Sequence, residues 1–342
     1  MSLNHRALQI ACLAGAVMAA APLSAPAGDR ELVGISNAGG APPPPARAAA
    51  LEDSLSSRVP RALPVVAEHK YRMLAKVRPL LFWISKDDVG GARISWRGDE
   101  EGSFGVDLLI GSDPLRAPRK INRWGYIAEQ VRGSEARVIG VMKQSNEQSV
   151  KEAESQLDKD GQGGFVYRAI QGTATANQAR AGVTTVRVER DLTFRDITPL
   201  LTLVGAAAPN GDERSVPLPA GTRPGFLVAL HEQIDHTVNG YKRSGDAFRA
   251  SRTPVQYVYY GVFYDLTMKS SELLKTVTID GRTYTNVARG DFEIRNRSNG
   301  ETTRFQLTYG TSGPLAGVPV HAIYQPRWWF EVQLFLDEKT AF

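Results

Sequence analysis

The chain has 342 residues, of which 42% are hydrophobic and 23% charged, a composition typical of a globular protein with one large domain or two smaller ones. Its 41 basic and 36 acidic side chains are interspersed, and the net charge is +5, so no basic stripe suited to a nucleic acid is present. Cys12 is the single cysteine and lies in the N-terminal apolar segment, which excludes disulfides, catalytic thiolates and zinc–cysteine sites from the rest of the chain.

Residues 1–27 predict a secretory signal peptide. Arg6 precedes an apolar segment over 7–21, and Ala25 and Ala27 place small residues at the −3 and −1 positions of a cleavage site. An uncleaved membrane anchor is the alternative, but the segment is short and rich in alanine for a spanning helix. We therefore expect a periplasmic or secreted protein with no transmembrane segment after cleavage.

Residues 28–64 predict a tether rich in Pro, Ala and Ser. Four consecutive prolines at 42–45 favour an extended polyproline segment without a core of its own. The tether is either a disordered spacer or an extended segment that holds the folded part away from a membrane or wall. The β-rich globular region is predicted to cover 65–342.

Apolar segments predict strands through the first half of this globular region. The predicted strands cover 71–77, 80–84, 92–96, 104–110, 121–129, 136–142, 165–170, 182–190 and, from a shorter run, 200–204. Asp87 to Gly91, between the second and third of them, predicts the turn of a hairpin. The stretch from Ala206 to Pro219 is predicted to be a loop.

Two segments change to a helical period. Residues 145–157 begin with a capping-box pattern and carry a narrow apolar stripe. The glycine-rich stretch 158–164 is the best candidate for an internal boundary, and because a strand follows it, it is not a phosphate-binding loop. Residues 225–238 fit a helix that starts after Pro224 better than they fit a strand. The sequence predicts no cofactor.

The last hundred residues are rich in strands with short connections. Predicted strands cover 255–266, 276–279, 283–287, 292–297, 302–309 and 320–324. Asp280-Gly281 and Ser298-Asn299-Gly300 indicate two hairpin turns. In the closing strand, from Gln325 to Asp337, apolar residues alternate with mostly polar ones from Trp328 onward, so one face should be buried.

Short connections of this kind join antiparallel neighbours. We therefore predict an α+β fold: a predominantly antiparallel β-sheet, built as a curved sheet, a sandwich or a half-barrel, with one or two packed helices.

The string from His231 to His236 is the nearest approach to a catalytic motif. A zinc protease requires histidines four residues apart with glutamate as the base, but Asp235 stands where the second histidine belongs. On a helix, His231 and Asp235 could share a metal, with Glu232 as a weak catalytic candidate. The alternative is a set of polar residues beside a buried stripe.

Two further groups of residues are candidates for binding. The densest cationic cluster could receive a phosphate or carboxylate, or could be a solvated loop with internal ion pairs; its members are Arg116, Arg119, Lys120 and Arg123. Aromatic side chains near the C-terminus could line an apolar groove, or simply build the core; the candidates are Tyr257, Tyr259, Tyr260, Tyr264 and Trp329.

Three functions remain open from the sequence. The leading hypothesis is a non-enzymatic, exported envelope protein that binds an apolar ligand, such as a lipid or acyl chain, or another envelope component. The second is an exported hydrolase, possibly metal-dependent, centred on His231, Glu232 and Asp235. The third is a structural envelope protein without a small ligand.

Overall fold

The structure, a computed structural model, describes residues 63–78, 82–143, 164–207, 209–211, 213–340 and 342, and for residue 246 it describes the backbone alone. The predicted signal peptide, almost all of the tether and the predicted helix over 145–157 lie outside these residues. The glycine-rich stretch 158–164 lies outside them as well, except for its last residue. The proposed internal boundary therefore stays a prediction.

Within the described residues, fourteen strands and two α-helices follow one another along the chain. The strands are β1 (Val65–Val77), β2 (Ile84–Gly98), β3 (Phe104–Ser112), β4 (Trp124–Arg132), β5 (Glu135–Lys143), β6 (Phe165–Ala174), β7 (Gln178–Val188), β8 (Glu213–Pro217), β9 (Val255–Tyr259), β10 (Val262–Ile279), β11 (Arg282–Asn296), β12 (Thr302–Gly310), β13 (Pro319–Arg327) and β14 (Phe330–Leu336). The helices are α1 (Ile197–Ala206) and α2 (Phe226–Ser244). Neither helix has both the length and the apolar character required to span a bilayer.

All the strands belong to one unclosed antiparallel sheet. Their order is β8-β7-β6-β5-β4-β3-β2-β1-β14-β13-β12-β11-β10-β9, so neighbours in the sheet are neighbours in the chain except where β1 meets β14. Two-residue turns join β4 to β5, β9 to β10, β10 to β11 and β13 to β14, and connections this short allow antiparallel pairing alone. The predicted α+β fold with a predominantly antiparallel sheet and two packed helices is confirmed.

The two helices cover opposite faces of this sheet. Period-two alternation sends Val106, Leu108 and Ile110 of β3 into the core that contains α2, and sends Leu109 into a second core that contains α1. We call the side that packs on α2 the inner face and the opposite side the outer face. Leu227, Ile234 and Val238 of the predicted apolar stripe are buried on the inner face. Burial of each such side chain stabilises the fold by about 1.5–3 kcal/mol.

The predicted hairpin over residues 80–96 is wrong. Residues 84–98 form the single strand β2, which pairs with β1 on both sides of the expected turn. Between the pairs Ala75–Lys86 and Met73–Gly90, three residues of β2 lie opposite Leu74 alone. Asp88 has a φ of 53° there, so the aspartates form a bulge inside a strand. Bulges and turns favour the same residue types, aspartate and glycine, so the local pattern predicted a turn where the strand has a bulge.

Three further segments differ from the predictions. The strand predicted over 255–266 is a hairpin, because Tyr260 and Gly261, with φ of 48° and 68°, form a tight turn between β9 and β10. Residues 200–204 lie in α1, and the loop predicted over 206–219 contains the edge strand β8. Tertiary packing of α1 on the outer face overrides the weak strand signal there.

The predicted alternation of the closing strand is confirmed from Phe330 onward. Phe330, Val332, Leu334 and Leu336 are all buried on the inner face. Trp328 does not continue the buried face: it lies in the turn between β13 and β14 and is 66% exposed.

Candidate functional site

The long hairpin of β10 and β11 extends beyond its neighbouring strand. Pairing of β11 with β12 begins only at Val287, so residues 275–286 form a free-standing end, which we call the hairpin arch. Asp280 and Gly281, with φ of 49° and 73°, make the tight turn at its tip, as the sequence predicts.

The tip of the hairpin arch crosses the outer face and is fastened on its far side. Asp280 forms an ion pair with Arg72 of β1, and Arg282 Nη2 lies 3.1 Å from Asp337 Oδ1 just after β14. Arg282 Nη1 also donates to the Leu336 carbonyl at 3.0 Å. Because β12 and β13 lie between β11 and these anchors in the sheet order, the arch passes over both strands.

The floor beneath the arch consists of outward-facing residues of β11 to β14. One cross-strand row runs through Arg289, Thr308, His321 and Phe335. A second row contains Gln306, Ile323 and Gln333. The residues that alternate with these, such as Leu307 and Ala322, are buried on the inner face with α2.

A cavity of about 370 Å³ lies between the floor and the arch. We call it the outer cleft; its lining residues are Val277, Thr278, Ile279, Asp280, Arg289, Gln306, His321, Ile323, Gln333 and Phe335. Its volume falls in the range of sites that hold small molecules, and its lining combines apolar walls with a few polar groups.

His321 is the titratable group at the centre of the floor. Its ring stacks on Phe335 with centroids 4.7 Å apart, and its Nε2 lies 3.3 Å from Gln333 Oε1. Burial lowers the pKa of His321 below its ordinary value, the contact with Gln333 opposes that shift, and the positive charge of Arg289 adds to it. His321 is therefore neutral at pH 7 and acts there as a hydrogen-bonding group.

Arg289 is the cationic group that lines the outer cleft. Among the described residues it makes neither an ion pair nor a hydrogen bond, although it is half-buried. The nearby carboxylates are already occupied: Asp291 accepts hydrogen bonds from Ser270 and from Gln306, the latter at 2.8 Å, and Asp280 is paired with Arg72. Among the residues that the structure describes, the cleft thus presents a guanidinium without an ion pair beside apolar walls, an arrangement suited to an anionic group.

The inner face has a polar group of a different kind. Glu129 of β4 is fully buried and accepts backbone hydrogen bonds from Leu227 at 3.0 Å and Val228 at 2.8 Å, at the N-terminus of α2. Burial raises the pKa of Glu129 to about 7, although both amide donors favour the ionised carboxylate. A Cβ on Gly225 would lie 2.2 Å from the carboxyl carbon, so only glycine fits beside this contact.

The tyrosines predicted to line an apolar groove lie in the core. Tyr257, Tyr259, Tyr260 and Tyr264 are at most 4% exposed, and Tyr257 stacks on Tyr264 with centroids 5.1 Å apart. Tyr259 and Tyr260 also line a small pocket of about 20 Å³ between the ends of β6, β7 and β9, which is room for about one water molecule. Trp329 is half-buried in the turn before β14 and lies against Phe330, with ring centroids 5.9 Å apart.

The predicted metal site consists of one pair of side chains. His231 Nε2 lies 3.3 Å from Asp235 Oδ2, and the His231 ring stacks on Phe104 with centroids 4.7 Å apart. Glu232 is held by Arg223, whose Nη2 donates to it at 2.6 Å. No group of three potential metal ligands occurs among the described residues. Among the described residues, His231 and Asp235 therefore have no third potential ligand beside them, and Glu232 is engaged with Arg223.

The predicted anion-binding loop is organised around an internal carboxylate. Asp113 is 2% exposed and receives Arg116 Nε at 2.9 Å and Arg195 Nη2 at 2.8 Å. Burial acts to raise the pKa of Asp113, but these contacts outweigh it and the pKa is lowered. Arg116 also pairs with Asp88 in the bulge of β2. Arg119 and Lys120 adopt φ of 55° and 53° in the following turn, and Arg123 immediately precedes β4.

Sequence reasoning missed the outer cleft although it identified its strands. Arg289, Gln306 and Gln333 occupy the polar positions of alternating strands, which the pattern predicts to face water. The available signal was the combined length of β10 and β11, 18 and 15 residues, around a tight Asp-Gly turn. The contact of that turn with Arg72 joins segments 208 residues apart and has no local signature.

Comparison with known proteins adds a fold-level similarity alone. No protein-family model and no curated protein matches the sequence. The chain is similar to a crystal structure described as a beta-barrel-like protein of domain of unknown function DUF1849 from Brucella abortus, with 10% sequence identity and a TM-score of 0.42. The match covers 81% of this chain and 98% of that one. A similarity at this level carries no functional weight.

Proposed function

We propose that the protein is a non-enzymatic binding protein whose outer cleft holds a small amphiphile with an anionic head group. The observation that carries this proposal is the half-buried guanidinium of Arg289, which has no ion-pair or hydrogen-bond partner among the described residues and lies in a cavity with apolar walls. A buried or half-buried cation without a partner is unfavourable until an anion joins it.

The remaining lining residues fit the two ends of such a ligand. Gln306 and Gln333 each have one amide N–H engaged, with Asp291 and Glu331 respectively, and each keeps a second N–H for a carboxylate or phosphate bound at Arg289. Ile323, Val277 and Phe335 offer apolar contact for a short chain or ring. In an exported protein, a fatty acid or another lipid of the envelope would meet these requirements.

The proposal is tested by calorimetric titration with decanoate, using decyltrimethylammonium as the cationic counterpart of equal chain length. We expect decanoate to bind and the cation not to bind. Arg289→Gln should weaken decanoate binding by about tenfold or more, because a charge-assisted pair contributes roughly 1.5–3 kcal/mol.

Arg304→Gln is the matched control variant. Arg304 lies on β12, its side chain is 76% exposed, and it is already paired with Glu293 at 2.8 Å, so its loss should leave decanoate affinity unchanged. The proposal fails if decanoate does not bind at millimolar concentration, or if Arg289→Gln and Arg304→Gln bind it equally well.

A further inference from the structure

Exposed aromatic side chains cluster at one end of the sheet. Trp328 is 66% exposed, Phe82 61%, Ile84 53% and Trp83 39%. Together with half-buried Trp329 they form what we call the aromatic tip. The turn between β13 and β14 and the start of β2 meet there because Val77 pairs with both Ile84 and Phe330. The Arg78 amide also donates to the Trp329 carbonyl at 2.7 Å.

The concentration of apolar surface in the aromatic tip is unusual for this molecule. Among the described residues, eight large hydrophobic side chains are exposed, and four of them, including all three exposed aromatic ones, belong to the tip. Single exposed hydrophobic residues need no explanation, but a contiguous group that includes tryptophan indicates an interaction surface. The group lies on a turn and a strand end, so it protrudes and forms no groove.

The charges around the aromatic tip are positive. Arg78, Lys86 and Arg327 make no ion pair with any residue that the structure describes. The acidic residues on the same segments all have ion-pair partners: Asp87 pairs with Arg72, Asp88 with Arg116, and Glu331 with Lys76 at 3.0 Å, although Arg72 is shared with Asp280 and Arg116 with Asp113. Among the described residues, the tip therefore carries three cations without an ion pair beside its aromatic rings.

We infer that the aromatic tip docks onto the surface of a lipid bilayer that contains anionic lipids. Tryptophan is favoured at the level of the head groups, because its ring is apolar and its N–H still finds a polar partner. Basic side chains beside such rings add attraction to anionic lipids, which salt weakens. A protruding tip with positive charge matches this surface, and the inference does not depend on the ligand proposed for the outer cleft.

Sedimentation with lipid vesicles tests the inference. We expect the wild-type protein to pellet with vesicles of phosphatidylcholine and phosphatidylglycerol in a ratio of about 3:1, and to pellet less with phosphatidylcholine alone or in high salt. Trp328→Ala should weaken binding by about tenfold, since a largely exposed ring loses its contact with lipid. Arg327→Gln should weaken binding to the anionic vesicles by about fivefold and leave the weak binding to phosphatidylcholine unchanged.

Leu203→Ala is the matched control, because Leu203 is 46% exposed on α1 and lies outside the aromatic tip. Melting temperatures of all variants establish that they fold. The inference is overturned if the wild-type protein does not pellet with either vesicle, or if Trp328→Ala pellets as well as Leu203→Ala. It is also overturned if size-exclusion chromatography shows a dimer that Trp328→Ala abolishes, since the tip would then be a contact between two copies of the chain.

Discussion

The two faces of the sheet are covered in different ways. On the inner face, α2 packs against β3, β9 and β10 and buries nine of its nineteen residues. On the outer face, the hairpin arch crosses two strands and is fastened mainly at its tip, which leaves a cavity of about 370 Å³ beneath it. A helix packed along a sheet contributes a closed core, whereas a hairpin that spans a sheet creates room for a ligand.

The polar groups of the two faces differ in the same way as the packing does. Glu129 on the inner face accepts hydrogen bonds from two backbone amides of α2. Arg289 on the outer face has no carboxylate partner among the described residues and borders the cavity. We therefore assign stability to the inner face and binding to the outer face, and variants of each face should separate the two properties.

The largest expected effect is on the inner face. Gly225→Ala should destabilise the protein by about 4 kcal/mol, because the added Cβ overlaps the buried Glu129 carboxylate and displaces it from its amide donors. Gly172→Ala is the control, since a Cβ at Gly172 meets its nearest atom at 3.4 Å, an ordinary contact. Urea denaturation of both variants measures the difference, and equal midpoints would contradict this account of α2.

The ionisation of Glu129 should make stability depend on pH. The unfolded carboxyl ionises near 4.5, whereas burial holds the folded pKa near 7. The folded state therefore binds more protons between these values, and stability falls as pH rises through this window, by up to about 3 kcal/mol. Tyr257 and Tyr259 face Glu129, but burial raises the pKa of both, so they stay neutral throughout.

Glu129→Gln isolates this contribution to stability. The amide of glutamine does not ionise, so we expect the melting temperature of the variant to change less than that of the wild type between about pH 5 and about pH 8. If the melting temperatures of the two proteins changed equally between these pH values, Glu129 would not titrate in the folded state.

Release of the hairpin arch should affect binding more than folding. Asp280→Asn combined with Arg282→Gln removes both ionic anchors of the tip and keeps a residue type that tolerates the left-handed turn. We expect a loss of less than about 1 kcal/mol in stability, as for other exposed ion pairs, and about a tenfold loss of decanoate affinity. Lys269→Gln, which removes a contact with Glu293 outside the arch, should alter neither property.

The smallest expected effect concerns His321. The pKa of His321 in the folded protein lies below its ordinary value. The imidazole is therefore neutral at pH 7 and becomes a cation beside Arg289 only at lower pH. Decanoate should therefore bind a few-fold more tightly at about pH 5.5 than at about pH 8. The contribution of His321 to the stability of the free protein is lost over the same fall in pH, opposite in sign to the larger contribution of Glu129. Calorimetric titration of His321→Gln should show no such gain in affinity.

Local sequence patterns predicted most of the strands but little of the outer cleft. Alternation in the closing strand located the buried residues Phe330 to Leu336, and Asp280-Gly281 located the tip of the arch, because both signals come from adjacent residues. The same reasoning mistook the bulge at Asp88 for a turn and did not detect the turn at Tyr260-Gly261. Aspartate followed within a few residues by glycine is common in both bulges and turns, and an aromatic residue such as Tyr260 rarely occupies a left-handed position.

Local sequence patterns could not predict the outer cleft, for a different reason. Its existence depends on a contact between β1 and the tip of the β10–β11 hairpin, and on a sheet in which β1 pairs with β14. Neither relation leaves a period or motif in the sequence. The aromatic candidates, in contrast, were identified from composition alone, which cannot distinguish a core tyrosine from one that borders a groove.

A crystal structure with bound 10-bromodecanoate tests the central claim most directly, because the anomalous signal of bromine locates the end of the chain without ambiguity. We expect bromine in the outer cleft, near Ile323 and beneath the hairpin arch, with the carboxylate at Arg289. Bromine between α2 and the inner face of the sheet would contradict the assignment of binding to the outer face.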